Sequence, residues 1–248
     1  MTDRVSIIIP AYNSATYIRE TLDSCLAQTY PAIELIVIDD GSTDATVAIV
    51  QSYGDAVRLI QQANQGPALA RNTGIEAATG AYIKFCDADD ILYPQHIEKV
   101  MVCFAQNPAV AAVYTRYLHV LADGQTPKPH ITDPDLLSGD IYCDLLASNS
   151  NAILTSALTV KRDCLLDIGL FLQDDTLRHS EDWDLFLRLA ARYLYATVPE
   201  ILVNYRWHDD NISSQNLSVA LGRLIVWQRA RETALEKGCY STSEFDRI

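Results

Sequence analysis

The feature that most constrains the fold is a regular alternation of short apolar runs with segments of helical periodicity. Residues 5–9 and 33–38 are rich in β-branched apolar side chains, as in strands that are buried on both faces. Between them, Ile18, Leu22 and Leu26 recur at the spacing of one helix face. Strands that alternate with helices in this way are typical of an α/β fold with a mostly parallel central sheet flanked by helices.

The alternation continues to about residue 109 and then becomes less regular. Further strands are predicted at residues 57–60, 82–86, 110–114, 117–121 and 156–161, and helices at residues 16–28, 44–53, 68–78, 94–104, 182–192 and 217–237. No internal repeat or linker interrupts the chain. We therefore expect one domain over residues 1–248, with halves at about 1–109 and 110–215 and a helical tail at about 216–248.

The composition argues against several classes of protein. A hydrophobic fraction of 49% suits a soluble chain with a large core. The net charge of −13 argues against nucleic acid as a partner, because binding to its backbone needs clustered Lys and Arg. No stretch reaches the roughly 18 apolar residues of a membrane span. Peripheral association with a membrane surface is left open.

The six cysteines include no CxxC pair, and several fall inside apolar runs. This pattern favours core thiols in a reducing compartment over disulfides or a zinc site. The expected location is the cytoplasm, with the inner face of the membrane as the alternative.

Three polar clusters follow predicted strands. They are Pro10-Ala11-Tyr12-Asn13, Asp39-Asp40-Gly41-Ser42 and Asp87-Ala88-Asp89-Asp90. The carboxyl ends of parallel strands meet at one edge of a sheet, where open α/β sheets bind their ligands. We therefore expect the three clusters to form one polar rim, although each taken alone is also compatible with the capping of the next helix.

The third cluster predicts a bound cation. Asp87, Asp89 and Asp90 crowd three carboxylates into four positions, and like charges this close repel and raise each other's pKa unless a cation compensates. Oxygen ligands suit Mg²⁺ or Mn²⁺, held by one or two carboxylates together with substrate phosphates. The sequence therefore favours a divalent metal ion of this kind as a cofactor.

Three segments resemble a known family. They read VSIIIPAYNSATYIRETLDSCLAQTYPAIELIVIDDGSTDAT, NQGPALARNTGIEAATGAYIKFCDADD and SEDWDLFLRL. In this order and spacing they resemble family 2 glycosyltransferases with the nucleotide-diphospho-sugar (GT-A) fold. The resemblance covers residues 4–121 and extends to about residue 215. It implies that the first half binds a nucleotide sugar and the second half binds the acceptor.

The resemblance also implies roles for individual residues. Asp182 matches the catalytic base, and Asp89 of the DxD motif matches a metal contact. Asp87 would contact the ribose or the shell of the metal. The remaining nucleotide-binding positions would be Pro10, Ala11, Tyr12, Asn13, Asp39, Asp40, Arg71 and Ala88, with Asp40 at the base, Asp39 near the base or ribose, and Arg71 at the nucleotide or its phosphates.

Four further residues are candidates for phosphate or acceptor contacts. Glu181 would orient Asp182 or contact the acceptor, and Trp183 would lie partly in the core and partly under the acceptor. Arg206 and His208 fall in a late segment that resembles one folding over the diphosphate in this family.

The implied reaction is an inverting transfer of a sugar from a nucleoside-diphosphate sugar, with UDP preferred, to a hydroxyl of a glycan or lipid-linked acceptor. By analogy it would serve bacterial surface polysaccharide synthesis. The alternatives are a non-catalytic nucleotide-sugar or glycan-binding module of the same fold and a sugar nucleotidyltransferase. The latter expects a Gly-rich, basic loop after the first strand, and residues 10–14 supply neither feature.

Overall fold

The computed structural model describes residues 3–121, 136–148, 153–177, 179–208 and 216–241. Its centre is an eight-stranded sheet made of β1 (Val5–Ala11), β2 (Ile33–Asp39), β3 (Arg58–Gln61), β4 (Tyr82–Phe85), β5 (Ile91–Leu92), β6 (Val110–Leu121), β7 (Leu158–Lys161) and β8 (Leu194–Trp207). The helices around it are α1 (Ile18–Leu26), α2 (Thr46–Gln51), α3 (Pro67–Ala77), α4 (His96–Gln106), α5 (Tyr142–Ala147), α6 (Arg162–Ile168), α7 (Glu181–Arg192) and α8 (Asn216–Glu236). The strand order is β3-β2-β1-β4-β7-β6-β8-β5.

The first half of the sheet is parallel, as the alternation of strands and helices predicts. β1 pairs with β2 on one side and with β4 on the other, and β2 pairs with β3. The strand β1 is almost fully buried, which explains its continuous apolar sequence. Pro67 stands at the start of α3, where its missing N–H is not needed.

The second half of the sheet is mixed. β7 lies antiparallel between β4 and β6, β6 and β8 run parallel, and the short β5 pairs antiparallel with β8. The separate strands predicted at 110–114 and 117–121 are wrong, because β6 is continuous. Its register against β8 shifts between Thr115 and Tyr117, so an irregularity in pairing lies where the sequence indicated a break.

Helices cover both faces of the sheet, as predicted. One core is formed with buried side chains of α1 and α4, including Ile18, Leu22 and Ile97. The other is formed with α3, α5 and α7 and includes Leu145 and Trp183. The sheet is thus packed against apolar side chains on both faces, which positions the polar side chains at its edge.

The prediction that the cysteines are all free thiols is wrong for one pair. Cys143 in α5 and Cys239 just after α8 form a disulfide across 96 residues of sequence. The packing of α5 against α8, where the hydroxyl of Tyr142 donates to the carbonyl of Ala230 at 3.1 Å, brings them together. Sequence spacing carries no sign of such a tertiary contact. Four cysteines are free.

Among the described residues, no helix combines the length and the apolar character that crossing a membrane requires.

Candidate active site

The three polar clusters lie at one edge of the sheet, as predicted. Ala11 is paired with Asp39 at the ends of β1 and β2, and Ile8 with Phe85 at the end of β4, so the three strands finish at the same edge. The loops that follow β1 and β2 are joined by hydrogen bonds. The backbone N–H of Asn13 donates to Ser42 at 2.9 Å, and the side-chain oxygen of Asn13 accepts from the N–H of Thr43 at 2.8 Å.

The residues of the first cluster differ in their exposure to solvent. Ala11 is buried and Pro10 is half-buried within β1, so they can form the floor of a pocket. Tyr12 is 51% exposed and stands at the rim. Asn13 has a positive φ of 48°, a conformation that Asn tolerates better than most residues and that turns the chain toward the second loop.

The second cluster anchors the loop that leads into α3. Asp40 accepts hydrogen bonds from the side chain of Gln62 and the backbone N–H groups of Gln65 and Gly66, at 2.7 to 2.9 Å. Asp39 accepts a longer bond of 3.3 Å from the N–H of Ser42. Both carboxyl groups are buried. Because a carboxylate has about four acceptor sites, Asp40 keeps room for one further donor.

The third cluster forms a tight turn, closed by a bond of 3.1 Å from the N–H of Asp90 to the carbonyl of Asp87. The carbonyl of Ala88 accepts from the hydroxyl of Thr21 in α1 at 2.9 Å. Asp87 forms an ion pair of 2.7 Å with Arg71 of α3. The turn is therefore fixed to the helices on both sides of it.

Arg71 links this turn to the N-terminus of α7. The side chain is almost fully buried, and its guanidinium lies 5.5 Å from the ring centroid of Phe171. Burial opposes its charge, but the carboxylates of Asp87, Glu181 and Asp182 outweigh burial and raise the pKa of Arg71. A permanently charged guanidinium thus lies between the DxD motif and the acidic pair.

Asp89 is held by the end of β8. Its carboxylate lies 2.9 Å from Nε2 of His208, and the His208 ring stacks on Tyr17 with centroids 4.8 Å apart. Burial and the charge of Asp87 raise the pKa of Asp89, while His208 opposes the shift. The structure therefore brings His208 to the DxD motif, next to the predicted metal contact.

Arg206 fixes the same strand end. Its side chain donates to the backbone carbonyl of Asp89 at 3.0 Å, forms an ion pair with Glu20 and lies over the ring of Tyr17. Its backbone N–H donates to Asp90 at 3.1 Å. In the structure Arg206 thus secures the turn, and its side chain is buried.

Asp182 lies in the first turn of α7, where the helix dipole favours a negative charge. One of its oxygens accepts from the N–H of Trp183 at 2.7 Å, and the other lies 3.4 Å from the hydroxyl of Thr155. Burial and the neighbouring charge of Glu181 raise its pKa to about 6, against the opposing effect of Arg71. The carboxyl group is therefore ionised at neutral pH and more basic than an ordinary aspartate.

The placement of Trp183 partly under the acceptor is wrong. Trp183 is 1% exposed, and its indole N–H donates to the carbonyl of Leu145 in α5 at 3.1 Å. The apolar ring is therefore part of the core, and it fixes the first turn of α7. Glu181 is half-buried beside Asp182.

Sequence reasoning missed several residues that hold the site. Tyr17, directly before α1, and Glu20 of α1 contact the end of β8, and Thr155 and Ser156 contact the two acidic motifs. Their residue types are too common to stand out. A stronger signal was available at Lys84, since a lysine inside an otherwise apolar strand lies only three positions before Asp87.

Comparison with known proteins identifies relatives of this chain. Glycosyl transferase family 2 matches residues 6–159. Chondroitin synthase of Pasteurella multocida is 30% identical over 247 residues, which are 98% of this chain and 25% of that protein.

Two solved structures share the fold. TarS of S. aureus in complex with UDP-GlcNAc has a TM-score of 0.69 at 22% identity, over 86% of this chain and 61% of that chain. The mannosyltransferase PcManGT of Pyrobaculum calidifontis in complex with GDP-Man and Mn²⁺ has a TM-score of 0.71 at 24% identity, over 94% of this chain and 65% of that chain. The predicted GT-A fold is confirmed, and because the family match covers more than half of the 248 residues, the chain belongs to glycosyl transferase family 2.

Proposed function

We propose that the protein is an inverting, metal-dependent glycosyltransferase that moves a sugar from a UDP-sugar to an acceptor hydroxyl. One observation carries this proposal. Asp182, whose pKa is raised, lies 3.4 Å from the hydroxyl of Thr155, and the next residue, Ser156, accepts from the N–H of Asp87 at 2.9 Å, which supports a proton acceptor beside the DxD motif.

Asp182 is suited to act as the general base. A sugar hydroxyl is a poor nucleophile, and a positioned carboxylate assists by taking its proton as the attack proceeds. A pKa of about 6 leaves Asp182 ionised at pH 7 while bringing its basicity close to the working pH. The reaction then needs one displacement at the anomeric carbon and no covalent intermediate on the protein.

The DxD motif fits a divalent metal ion. Asp89 has a pKa raised by burial and by Asp87, as expected for carboxylates whose repulsion a cation would relieve. Within the described ranges, no group of three His, Cys, Asp or Glu side chains could hold a metal ion by itself. The donor diphosphate would therefore supply part of the coordination, as Mg²⁺ and Mn²⁺ commonly require. When bound, such an ion stabilises the charge of the departing diphosphate.

Asp89 and His208 are the side chains that would hold this ion, and Asp87 would contact the ribose or the metal's shell. Arg71 orients Asp87 by its ion pair of 2.7 Å. Arg206 holds the strand end that carries His208 in place.

The nucleotide would lie over the ends of β1 and β2. Pro10 and Ala11 form its floor, Tyr12 and Asn13 its rim, and Asp39 contacts the base or ribose. The fourth acceptor site of Asp40 suits an N–H group of the base. The UDP-GlcNAc and GDP-Man complexes of proteins with this fold support a nucleoside-diphosphate sugar, and the first of them supports uridine.

The acceptor would approach from the side of Asp182 and Glu181, in the half made by residues 110–215. The relationship to chondroitin synthase supports a role in polysaccharide synthesis, with a glycan or lipid-linked acceptor. The most informative experiment is a thermal-shift screen of nucleoside-diphosphate sugars with and without Mn²⁺. A donor should raise the melting temperature only with the metal, since a ligand that binds the native state stabilises it by mass action.

Matched variants complete this test. Asp182→Asn should keep the metal-dependent shift and lose transfer, whereas Asp89→Asn should lose both. A screen in which no nucleotide sugar stabilises the wild-type protein contradicts the donor assignment. Stabilisation by a donor without transfer to any glycan or to water favours the non-catalytic module.

A further inference from the structure

One lysine side chain is buried inside the central sheet, away from water. Lys84 occupies the middle of β4, paired with Ile7 of β1 and Thr159 of β7, and its side chain is fully buried. Charged groups are rarely placed in a protein core unless they are paired and hydrogen-bonded, because their desolvation costs a great deal. The ammonium group of Lys84 donates to the backbone carbonyl of Ser156.

That carbonyl belongs to a short 3-10 turn, Thr155–Ala157, which leads into β7. All three residues of the turn are buried. The hydroxyl of Ser156 accepts a bond of 2.9 Å from the backbone N–H of Asp87. The hydroxyl of Thr155 faces Asp182 at 3.4 Å. Two consecutive side chains of one turn therefore touch the DxD motif and the proposed base.

The charges around Lys84 agree with this arrangement. Burial lowers the pKa of Lys84 to about 7, and the neighbouring Cys86, Cys25, Asp90 and Asp87 oppose that shift. Asp90 is fully buried, and its Oδ2 has no hydrogen-bond partner among the residues that the structure describes. Lys84 is therefore a buried basic group beneath the acidic turn.

We propose that Lys84 is a positioning residue that holds the turn Thr155–Ala157 and, through it, sets Asp87 and Asp182 relative to each other. This inference rests on the proposed function, in which Asp87 belongs to the donor site and Asp182 is the base. Without the ammonium group, the carbonyl of Ser156 is left buried without this donor, and the turn is free to shift. Both acidic motifs then lose a contact at the same time.

The two hydroxyl groups of the turn give the inference a distinctive kinetic signature. Thr155→Val removes the group that faces the base and should lower kcat while leaving the KM for the donor unchanged. Ser156→Ala removes the acceptor of the Asp87 N–H and should raise the donor KM with a smaller effect on kcat. Both substitutions nearly conserve volume, so the fold should tolerate them.

Lys84→Met removes the ammonium group and keeps most of the apolar volume. It should combine both effects and lower kcat/KM by at least about tenfold, as expected when an interaction that orients the reacting groups is lost. Lys99→Met is the matched control. Lys99 is a surface lysine of α4 that forms an ion pair with Glu200 of β8. The control should leave both kinetic constants at the wild-type values.

Hydrogen exchange provides a readout that does not depend on catalysis. In Lys84→Met, peptides that cover the turn and the DxD motif should exchange faster, whereas peptides from α4 should not change. Wild-type kinetics together with unchanged exchange in Lys84→Met would overturn the positioning role. Equal effects of Thr155→Val and Ser156→Ala on kcat and KM would also overturn it.

The same measurements separate this inference from the proposed function. If the wild-type protein binds and transfers a sugar but Lys84→Met behaves like wild type, only the positioning role fails. If the wild-type protein binds no nucleotide sugar, the proposed function fails, and exchange at the turn still decides whether Lys84 holds it.

Discussion

Replacing Asp182 by Asn should make the protein more stable and inactive at the same time. The native-state pKa of Asp182 is about 6, compared with an ordinary value of 3.8. A difference of about two pKa units corresponds to roughly 3 kcal/mol at 1.36 kcal/mol per unit. This is the free energy by which folding disfavours the ionised carboxylate.

The sign of the effect depends on pH. Because the folded-state pKa is raised, the penalty is absent below about pH 3.8 and complete above about pH 6. The neutral amide of Asn avoids it. Since the Asp182 side chain is not completely shielded from solvent, we expect a gain of about 1–3 kcal/mol at pH 7.5, which falls toward zero near pH 4.

Thermal or urea unfolding of the two proteins at several pH values measures this difference. For a chain of this size, 1 kcal/mol shifts the melting temperature by about 2–4 °C. Asp184→Asn is the matched control in the same helix, since Asp184 is buried in an ion pair of 2.7 Å with Arg188. Loss of this ion pair in Asp184→Asn should lower the free energy of unfolding by about 1–3 kcal/mol.

The rate of sugar transfer by Asp182→Asn should fall, although its stability rises. Loss of the general base should lower kcat by about 10²–10⁴-fold, with little change in donor affinity. Equal stability of Asp182→Asn and wild type at pH 7.5 would refute the raised pKa. Transfer by the variant within tenfold of the wild-type rate would refute the assignment of the base.

Three further predictions concern the metal, the disulfide and the core. In a nucleotide titration, Asp89→Asn without a chelator should bind as weakly as the wild-type protein does with a chelator. Adding the chelator to Asp89→Asn should not change its affinity for the nucleotide. Cys239→Ser removes the disulfide to Cys143 and should lower the free energy of unfolding by about 2–4 kcal/mol. When both proteins are reduced, the variant and the wild type should have the same free energy of unfolding. Trp183→Phe loses the hydrogen bond to Leu145 and should lower stability by about 1–2 kcal/mol; unchanged KM values for donor and acceptor would agree with its place in the core, and a large rise in acceptor KM would not.

The parallel half of the fold could be predicted from the sequence, because each of its strands and helices is specified by residues that are close together in the chain. Apolar runs and helical spacing predict β1, β2, β4 and α3, and parallel pairing then brings the polar clusters at Ala11, Asp39 and Asp87 to one edge. The second half depends on pairs that are distant in sequence, such as β6 with β8, and no local pattern specifies them.

The candidate site also combines residues that the local sequence predicts with contacts that it does not. The acidic cluster at Asp87, Asp89 and Asp90 was predicted from its residue types and position, and Asp182 from the family resemblance, but the side chains that contact them were not predicted. Trp183 follows an acidic pair, yet its contact with Leu145 in α5 decides that it lies in the core. The disulfide between Cys143 and Cys239 depends on how α5 and α8 pack. Such contacts follow from tertiary packing and leave no spacing in the sequence.

The stereochemistry of transfer tests the central claim most directly. Once the screen has identified a donor with an α-linked sugar, proton NMR can follow the anomeric signal of the first product. A single displacement assisted by Asp182 predicts a β-linked glycoside, or the β anomer of the free sugar when water is the acceptor. An α product formed before mutarotation would contradict the account.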